Sequence, residues 1–329
     1  MSVRPVFIFS LPRSGSTLLQ RMLATHPEVA TTSEPWLLLP QLYALRETGA
    51  LAEYGHRTAA RALADFGAAL PGGRADYLAE VRRSVLALYE RAAGDAAWFL
   101  DKTPRYHLVV DEIMSLFPEG RFVFLWRNPL AIAASMIGSF GGGRWNLDRY
   151  AVDLHGGLDR LVAASGHGDA RSRAVRFEDL VSDPGAVTGE LFRLLELDPA
   201  PAAAAAFADT TLNGRMGDRT GTARYTAVTG EPLERWQITM ANPLRKRWCG
   251  RYLRSVGRER LAAMGYDLDE LTGAVSGLHT GVDGLASDVA RRAYGYARAG
   301  LTKRLMYPRS RPGAHPDGAA DRHPAEARR

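Results

Sequence analysis

Five short β-prone apolar runs, separated by segments long enough to hold helices, constrain this chain more than any other feature of it. They fall at Val6-Ser10, Val29-Ser33, Trp98-Asp101, Arg121-Trp126 and Ala174-Phe177. Alternation of this kind predicts a parallel sheet with helices on both faces, because successive parallel strands need a crossover and the crossovers cover the sheet. The expected fold class is therefore α/β, a P-loop-like parallel β-sheet flanked by helices on both faces. Helix signals agree: Asp183-Pro184 supplies an N-cap and a first-turn proline for the run through Leu191, Leu194 and Leu195. Open parallel sheets take their ligands beyond the carboxyl ends of the strands, so the residues just after each run are the candidates for chemistry.

Other features bound the function. The single cysteine, Cys249, excludes an internal disulfide and a cysteine-based zinc site, and it fits a reducing compartment; a cytoplasmic location is expected. The first ten residues do not read as a signal peptide, and no stretch approaches the roughly 18 apolar residues of a membrane span. The net charge of +6 sits at one end: residues 288–329 hold ten Arg/Lys against four acids, and the rest balances at 32 of each. The basic balance thus gives no ground for a nucleic-acid partner.

Residues 1–270 read as one domain, with residues 36–97 an Ala-rich helical hairpin, broken at Pro71-Gly72-Gly73, that either caps an acceptor site or covers the sheet. Residues 271–307 read as a linker, extending from about Asp267 to Gly284, and a basic helix. That helix sets Val289, Tyr296, Leu301 and Leu305 among Arg291, Arg292, Arg298, Lys303 and Arg304, a pattern suited to an anionic membrane surface or to docking on its own domain. Residues 308–329 have the composition of a disordered tail.

The first strand leads into Ser10-Leu11-Pro12-Arg13-Ser14-Gly15-Ser16-Thr17, a tight turn and helix start. Backbone N–H groups and the positive end of a helix dipole then face one point, which suits an anion. Gly15 permits close backbone approach, Ser14, Ser16 and Thr17 bring hydroxyls, and Arg13 brings a planar fork. The loop is not an NTPase P-loop, since Ser10 stands where the first glycine belongs and Ser16 where the lysine belongs.

This loop resembles the 5′-phosphosulfate-binding loop of the sulfotransferase family that uses 3′-phosphoadenosine-5′-phosphosulfate (PAPS), in the arginine-containing form of tyrosylprotein sulfotransferases and bacterial relatives. A second motif, Phe122-Val123-Phe124-Leu125-Trp126-Arg127-Asn128-Pro129 with Ser135 eight residues after the arginine, resembles that family's 3′-phosphate element. Ser33-Glu34-Pro35, Asp101-Lys102-Thr103-Pro104-Arg105-Tyr106 and Arg176-Phe177-Glu178-Asp179 also fit, and Gly217-Asp218-Arg219-Thr220-Gly221 corresponds to a late nucleotide-covering loop.

The resemblance implies PAPS as co-substrate, without a metal, and a hydroxyl-bearing acceptor that could be a sugar, a lipid, a peptide tyrosine or a small natural product. It implies Glu34 as base, Arg13 and Lys102 as the cations on the leaving phosphate, and Arg127 and Ser135 on the 3′-phosphate. Arg176-Phe177-Glu178-Asp179 reads as structural and His107 as a helix-face histidine. Two other functions stay open at this point. A P-loop kinase or NTPase would need an acid for magnesium, which Asp101 could supply; a non-catalytic nucleotide-binding module would bind donor without transfer. Oligomeric state has no signature in the sequence.

Overall fold

Successive side chains of a strand leave opposite faces of the sheet, and this chain fills its two faces with different chemistry. The computed structural model describes residues 3–198, 207, 210, 212–214, 216 and 231–306. In β1 (Arg4–Phe9), Phe7 and Phe9 point to one side, while Val6 and Ile8 point to the other. β3 (Trp98–Asp101) and β4 (Arg121–Trp126) repeat the division, with Phe99, Phe122 and Phe124 joining the aromatic side and Leu100, Val123 and Leu125 the aliphatic one. Phe7, Phe9 and Phe122 stack at centroid distances of 5.9 to 6.1 Å.

With β2 (Val29–Thr31) and β5 (Ser172–Arg176) the sheet has five strands, all parallel, in the order β2-β3-β1-β4-β5. The chain leaves β1 toward β2 and β3 and later crosses to β4 and β5, so the end of β1 is the point where the order changes direction. The aliphatic face is covered by α1 (Ser16–Leu23), α8 (Phe177–Ser182) and α9 (Pro184–Leu194). The aromatic face is covered by α4 (Arg74–Ala93), α5 (Val110–Leu116) and α6 (Pro129–Gly141), with α7 (Leu158–Ser165) in the same core. Both faces are closed, as the strand-helix alternation predicts.

Between β2 and β3 stand α2 (Leu38–Tyr43), α3 (His56–Ala68) and α4, with Pro71-Gly72-Gly73 at the break between the last two. The buried residues of α4, Val81, Val85 and Tyr89, pack onto the sheet, and Tyr89 stacks on Phe99 at 4.5 Å. The hairpin's long arm therefore covers the sheet.

The C-terminal part departs from expectation. α10 (Glu231–Thr239), α11 (Pro243–Val256) and α12 (Arg258–Ala263) are followed by a helix, α13 (Leu268–Gly277), over most of the stretch expected as a linker. Asp267 caps it by accepting from the N–H groups of Asp269 and Glu270, and Leu271 and Val275, one turn apart, enter the core. Composition hid this helix, because its acids and glycines occupy the exposed positions.

The basic helix, α14 (Leu285–Met306), is anchored by its first turns. Asp288 is fully buried and accepts from Arg245 Nε (2.6 Å), Arg245 Nη2 (3.0 Å), Asn242 Nδ2 (2.8 Å) and the Trp145 backbone N–H (3.0 Å). Burial pushes its carboxyl up, but the bonds from Arg245 and Asn242 outweigh this and hold it below its ordinary range. Among the described residues, no helix is long and apolar enough to cross a membrane. The segment expected as a tail, 308–329, lies outside the described residues.

Candidate active site

The turn after β1 is held open by two left-handed residues, Arg13 (φ 74°) and Gly15 (φ 92°). At Arg13 the conformation is costly, and strain of that kind concentrates where function requires it. At Gly15 it is obligatory on two counts, since a β-carbon there would also overlap the ring of Phe177. The helix α1 then starts at Ser16 with no side chain capping its end and no acid in its first turn, so neither offsets the positive end of its dipole. Behind the loop, the Ser10 and Ser14 hydroxyls are buried with no partner among the described residues. Arg13 Nε donates to Ser135 Oγ at 3.1 Å.

Arg127, at the end of β4, donates from Nη1 to the Arg13 carbonyl at 3.0 Å and lies 4.2 Å over the Phe177 ring. One aromatic ring thus separates Gly15 from Arg127. The strand end is fixed by Glu178, whose carboxylate accepts from the Asn128 N–H (3.0 Å) and the Tyr266 hydroxyl (2.6 Å). Asn128 caps α6 by accepting from Leu130 N–H, with Pro129 in the first turn, and α6 carries Ser135 to Arg13. The Arg176-Phe177-Glu178-Asp179 segment is structural in that Glu178 positions Arg127, while Phe177 forms part of the site, which the sequence did not disclose.

Glu34 follows β2 and Lys102 follows β3, and the two meet: Lys102 Nζ donates to Glu34 Oε1 at 2.8 Å and to Thr17 Oγ1 at 3.3 Å. The lysine side chain is 1% exposed and the glutamate 10%, so this ion pair is largely out of water. Trp36, also left-handed (φ 56°), folds back so that its indole Nε1 donates to Glu34 Oε2 at 3.2 Å, and its backbone N–H donates to Thr103 Oγ1 at 3.2 Å. Both carboxylate oxygens therefore have fixed donors. The carboxyl ends of three neighbouring strands, β1, β3 and β2, are tied together through these contacts.

These groups surround a cleft of about 270 Å³ at the carboxyl end of the sheet. Of the residues expected to act, Arg13, Gly15, Ser16, Thr17, Glu34 and Arg127 line it. Lys102 and Ser135 stand behind the wall, bonded to Glu34 and Arg13, and Ser14 is buried behind the loop. Arg21, Trp36, Arg105, Phe140 and Tyr150 also line the cleft and were not foreseen. Arg105 lies within a motif already singled out and Trp36 directly follows one; Phe140 and Tyr150 carry no sequence signal. Of the 36–97 segment, only Trp36 reaches the cleft.

Asp101 has a different place. It is fully buried on the far side of Lys102, accepting from Tyr89 (2.5 Å), Tyr106 (2.8 Å) and Thr103 (3.2 Å). Burial pushes its carboxyl up to about 6, against the pull of those hydrogen bonds. A magnesium ligand needs oxygens that face the nucleotide, and these face two tyrosines. His107 is also fully buried, bonded to Asp153 at 2.8 Å, and burial pushes its imidazole below its ordinary range. Among the described residues, no three His, Cys, Asp or Glu side chains converge in a metal-holding group. The Gly217-Asp218-Arg219-Thr220-Gly221 segment lies outside the described residues.

A profile of the Sulfotransferase family matches residues 5–201, which take in the five strands from Pro5 onward and the motifs as far as Asp179. The chain belongs to the sulfotransferase family. It is similar to the nodulation protein NoeE of Sinorhizobium fredii (strain NBRC 101917 / NGR234), at 40% identity over 138 residues, covering 41% of this chain and 31% of that protein. The match thus spans about a third of the length of the curated relative. The sulfotransferase domain from the curacin biosynthetic pathway has the same fold, at 19% identity and a TM-score of 0.53, over 80% of this chain and 98% of that one. The sulfotransferase domain from the Synechococcus PCC 7002 olefin synthase is 24% identical over 72% of this chain and 88% of its own, with a TM-score of 0.47. The loop after β1, Arg127 and the buried Glu34–Lys102 pair, which meet at the carboxyl end of the sheet, all lie within the residues matched.

Proposed function

We propose that this chain transfers the sulfuryl group of PAPS to an acceptor hydroxyl. The observation that carries the reading is the Glu34–Lys102 pair, set against Thr17 of the anion loop at the point where β1, β2 and β3 end. An acceptor hydroxyl beside Glu34 would lose its proton to that carboxylate as its oxygen bonds to sulfur. The bond from sulfur to the 5′-phosphate oxygen breaks in the same step, leaving 3′-phosphoadenosine 5′-phosphate (PAP). In this reading Arg13, on the cleft wall, and Lys102, directly behind it, would meet the charge that develops on that oxygen, which is where fixed cations accelerate transfer most. The sulfuryl group carries less charge than a terminal phosphate, so two side-chain cations suffice for the role that a metal takes in phosphoryl transfer.

The residues present fit the donor. The partnerless hydroxyl of Ser14, the uncapped start of α1 and the absence of a β-carbon at Gly15 all suit an anion seated on the loop. Arg127, with Ser135 nearby, is the group we assign to the 3′-phosphate, the feature that separates this donor from ATP. A kinase reading is disfavoured by Asp101, whose oxygens are occupied by tyrosines away from the cleft.

The test is calorimetric titration with PAP and with ADP, without added metal, on wild type and Arg127→Ala. PAP should bind, ADP should bind far more weakly, and the variant should lose PAP affinity by on the order of 10- to 100-fold. Preference for ADP, or binding that requires magnesium, would overturn the donor assignment. For the base, Glu34→Gln should lower kcat by on the order of 10²- to 10⁴-fold and leave PAP affinity within about threefold.

A further inference from the structure

We propose that Arg105 is the acceptor-recognising residue of the cleft, held in position by Asp153, and that the acceptor is a neutral polyhydroxylated molecule. The inference rests on the reading of the cleft given above and names the substrate class of that same site.

Position comes first. Apart from Lys102, which follows β3, the groups assigned to the donor follow β1 and β4, whereas the proposed base follows β2. Arg105 lies three residues beyond Lys102, on the base side, in a short 3₁₀ turn (Pro104–Leu108). Its side chain is about a third exposed and lines the cleft together with Tyr150, Trp36 and Glu34.

The fork is held from below by an unusual piece of backbone. A π-helical turn, Val152–Gly157, carries Asp153 into the interior, where it is fully buried and accepts from Arg105 Nη2 (3.0 Å) and His107 Nε2 (2.8 Å). π-Helical turns recur at functional sites, since they aim one side chain at the expense of helix regularity. Gly157 at the end of the turn packs on His107, where a β-carbon would stand 2.7 Å from Nδ1. His107, neutral through burial, is thus the spacer that fixes Asp153, and Asp153 is the positioning residue for Arg105.

Charge then selects the ligand. Among the described residues, the cleft wall carries Arg13, Arg21, Arg105 and Arg127 against Glu34, with Lys102 and Asp153 directly behind it as one further cation and one further anion. PAPS brings about four negative charges, counting a phosphomonoester near −2, and would consume the whole cationic excess. An anionic acceptor would therefore enter a site of its own sign. A wholly apolar acceptor would cover the Arg105 fork without offering it an oxygen, which is costly for a charged group. A neutral polyol avoids both penalties. Its second oxygen, next to the reacting hydroxyl, meets the planar donors of Arg105, and its apolar face meets the rings of Tyr150 and Phe140, 5.1 Å apart.

The experiment uses the full chain with [³⁵S]PAPS and three acceptor groups: methyl glycosides and short neutral oligosaccharides, simple phenols, and acidic tyrosine peptides. Glycosides or oligosaccharides should be sulfated and the other two groups not. With a glycoside acceptor, Arg105→Ala and Arg105→Lys should raise the acceptor KM by on the order of 10- to 100-fold while the donor KM stays within about twofold. Asp153→Asn should shift the acceptor KM in the same direction by less. Transfer only to phenols or peptides, or no transfer to any group by a protein that binds PAP, overturns the acceptor class. A matching rise in donor KM places Arg105 on the donor and overturns its role. Failure to bind PAP at all counts against the donor reading instead, so the two failures are separable.

Discussion

Gly15→Ala tests whether the contact between the anion loop and Phe177 governs the site. The substitution acts twice. A non-glycine residue at φ 92° costs about 1–2 kcal/mol through its backbone alone. The new methyl group also overlaps two carbons of the Phe177 ring, and the ring cannot retreat freely, because Arg127 lies 4.2 Å over it. Overpacking of that kind costs about 1–3 kcal/mol. The sum, about 2–5 kcal/mol, should appear as a lower urea midpoint with unchanged m-value. PAP affinity should fall by on the order of 10-fold or more, since the ring can yield only by shifting Arg127. The two contributions separate in a double-mutant cycle. Phe177→Leu removes the clashing edge, so Gly15→Ala in that background should recover about 1–3 kcal/mol, leaving the backbone cost of about 1–2 kcal/mol. A Gly15→Ala protein within about 0.5 kcal/mol of wild type, or strict additivity with Phe177→Leu, would refute the reasoning.

Two further predictions follow from buried carboxylates. Asp101 titrates near 6 in the folded chain against an ordinary 3.8, so its protonated form favours folding below about pH 4 and the benefit, about 3 kcal/mol, is lost as pH rises through about 6. Asp101→Asn lacks this slope, and urea unfolding at a series of pH values should show the variant gaining on wild type across that window; a constant difference would count against it. Asp288→Ala leaves Arg245 buried without its carboxylate and should cost about 3–5 kcal/mol, with much of the loss recovered in the double variant Arg245→Met/Asp288→Ala. Equal losses in the single and double variants would show that the ion pair is not the anchor.

The strands were legible because a sheet buried on both faces writes continuous apolar runs. The structure places β3 and β4 where the runs stand, and it starts β5 two residues early, with Phe177 handed to the next helix. The loop and the Lys102 segment were legible because their chemistry is contiguous in sequence. The aromatic wall was not, since Phe140 and Tyr150 are brought to the cleft by the end of α6 and the turn after it, and no local pattern marks a side chain whose partner lies on another strand's loop. Phe177 was misjudged for a related reason: as a strand-end apolar residue it looks like core, and its contacts with Gly15 and Arg127 arise only from the β1-β4-β5 order. The helix α13 was missed because Asp267, Leu271 and Val275 encode it at three positions among glycines and acids that suggest a linker.

The Asp288 anchor has a consequence for how the protein is made. A ribosome delivers Arg245 forty-three residues before the carboxylate that neutralises it. At synthesis rates of about 5–20 residues per second, the guanidinium and the Trp145 amide wait for seconds before their partner exists. Over that interval Arg245 can donate to the Thr239 and Gly143 carbonyls, but its charge goes unneutralised. The last helix, which in composition resembles an appendage, therefore completes a charge pair begun earlier in the chain, and a chain cut short before residue 288 would leave Arg245 without its carboxylate.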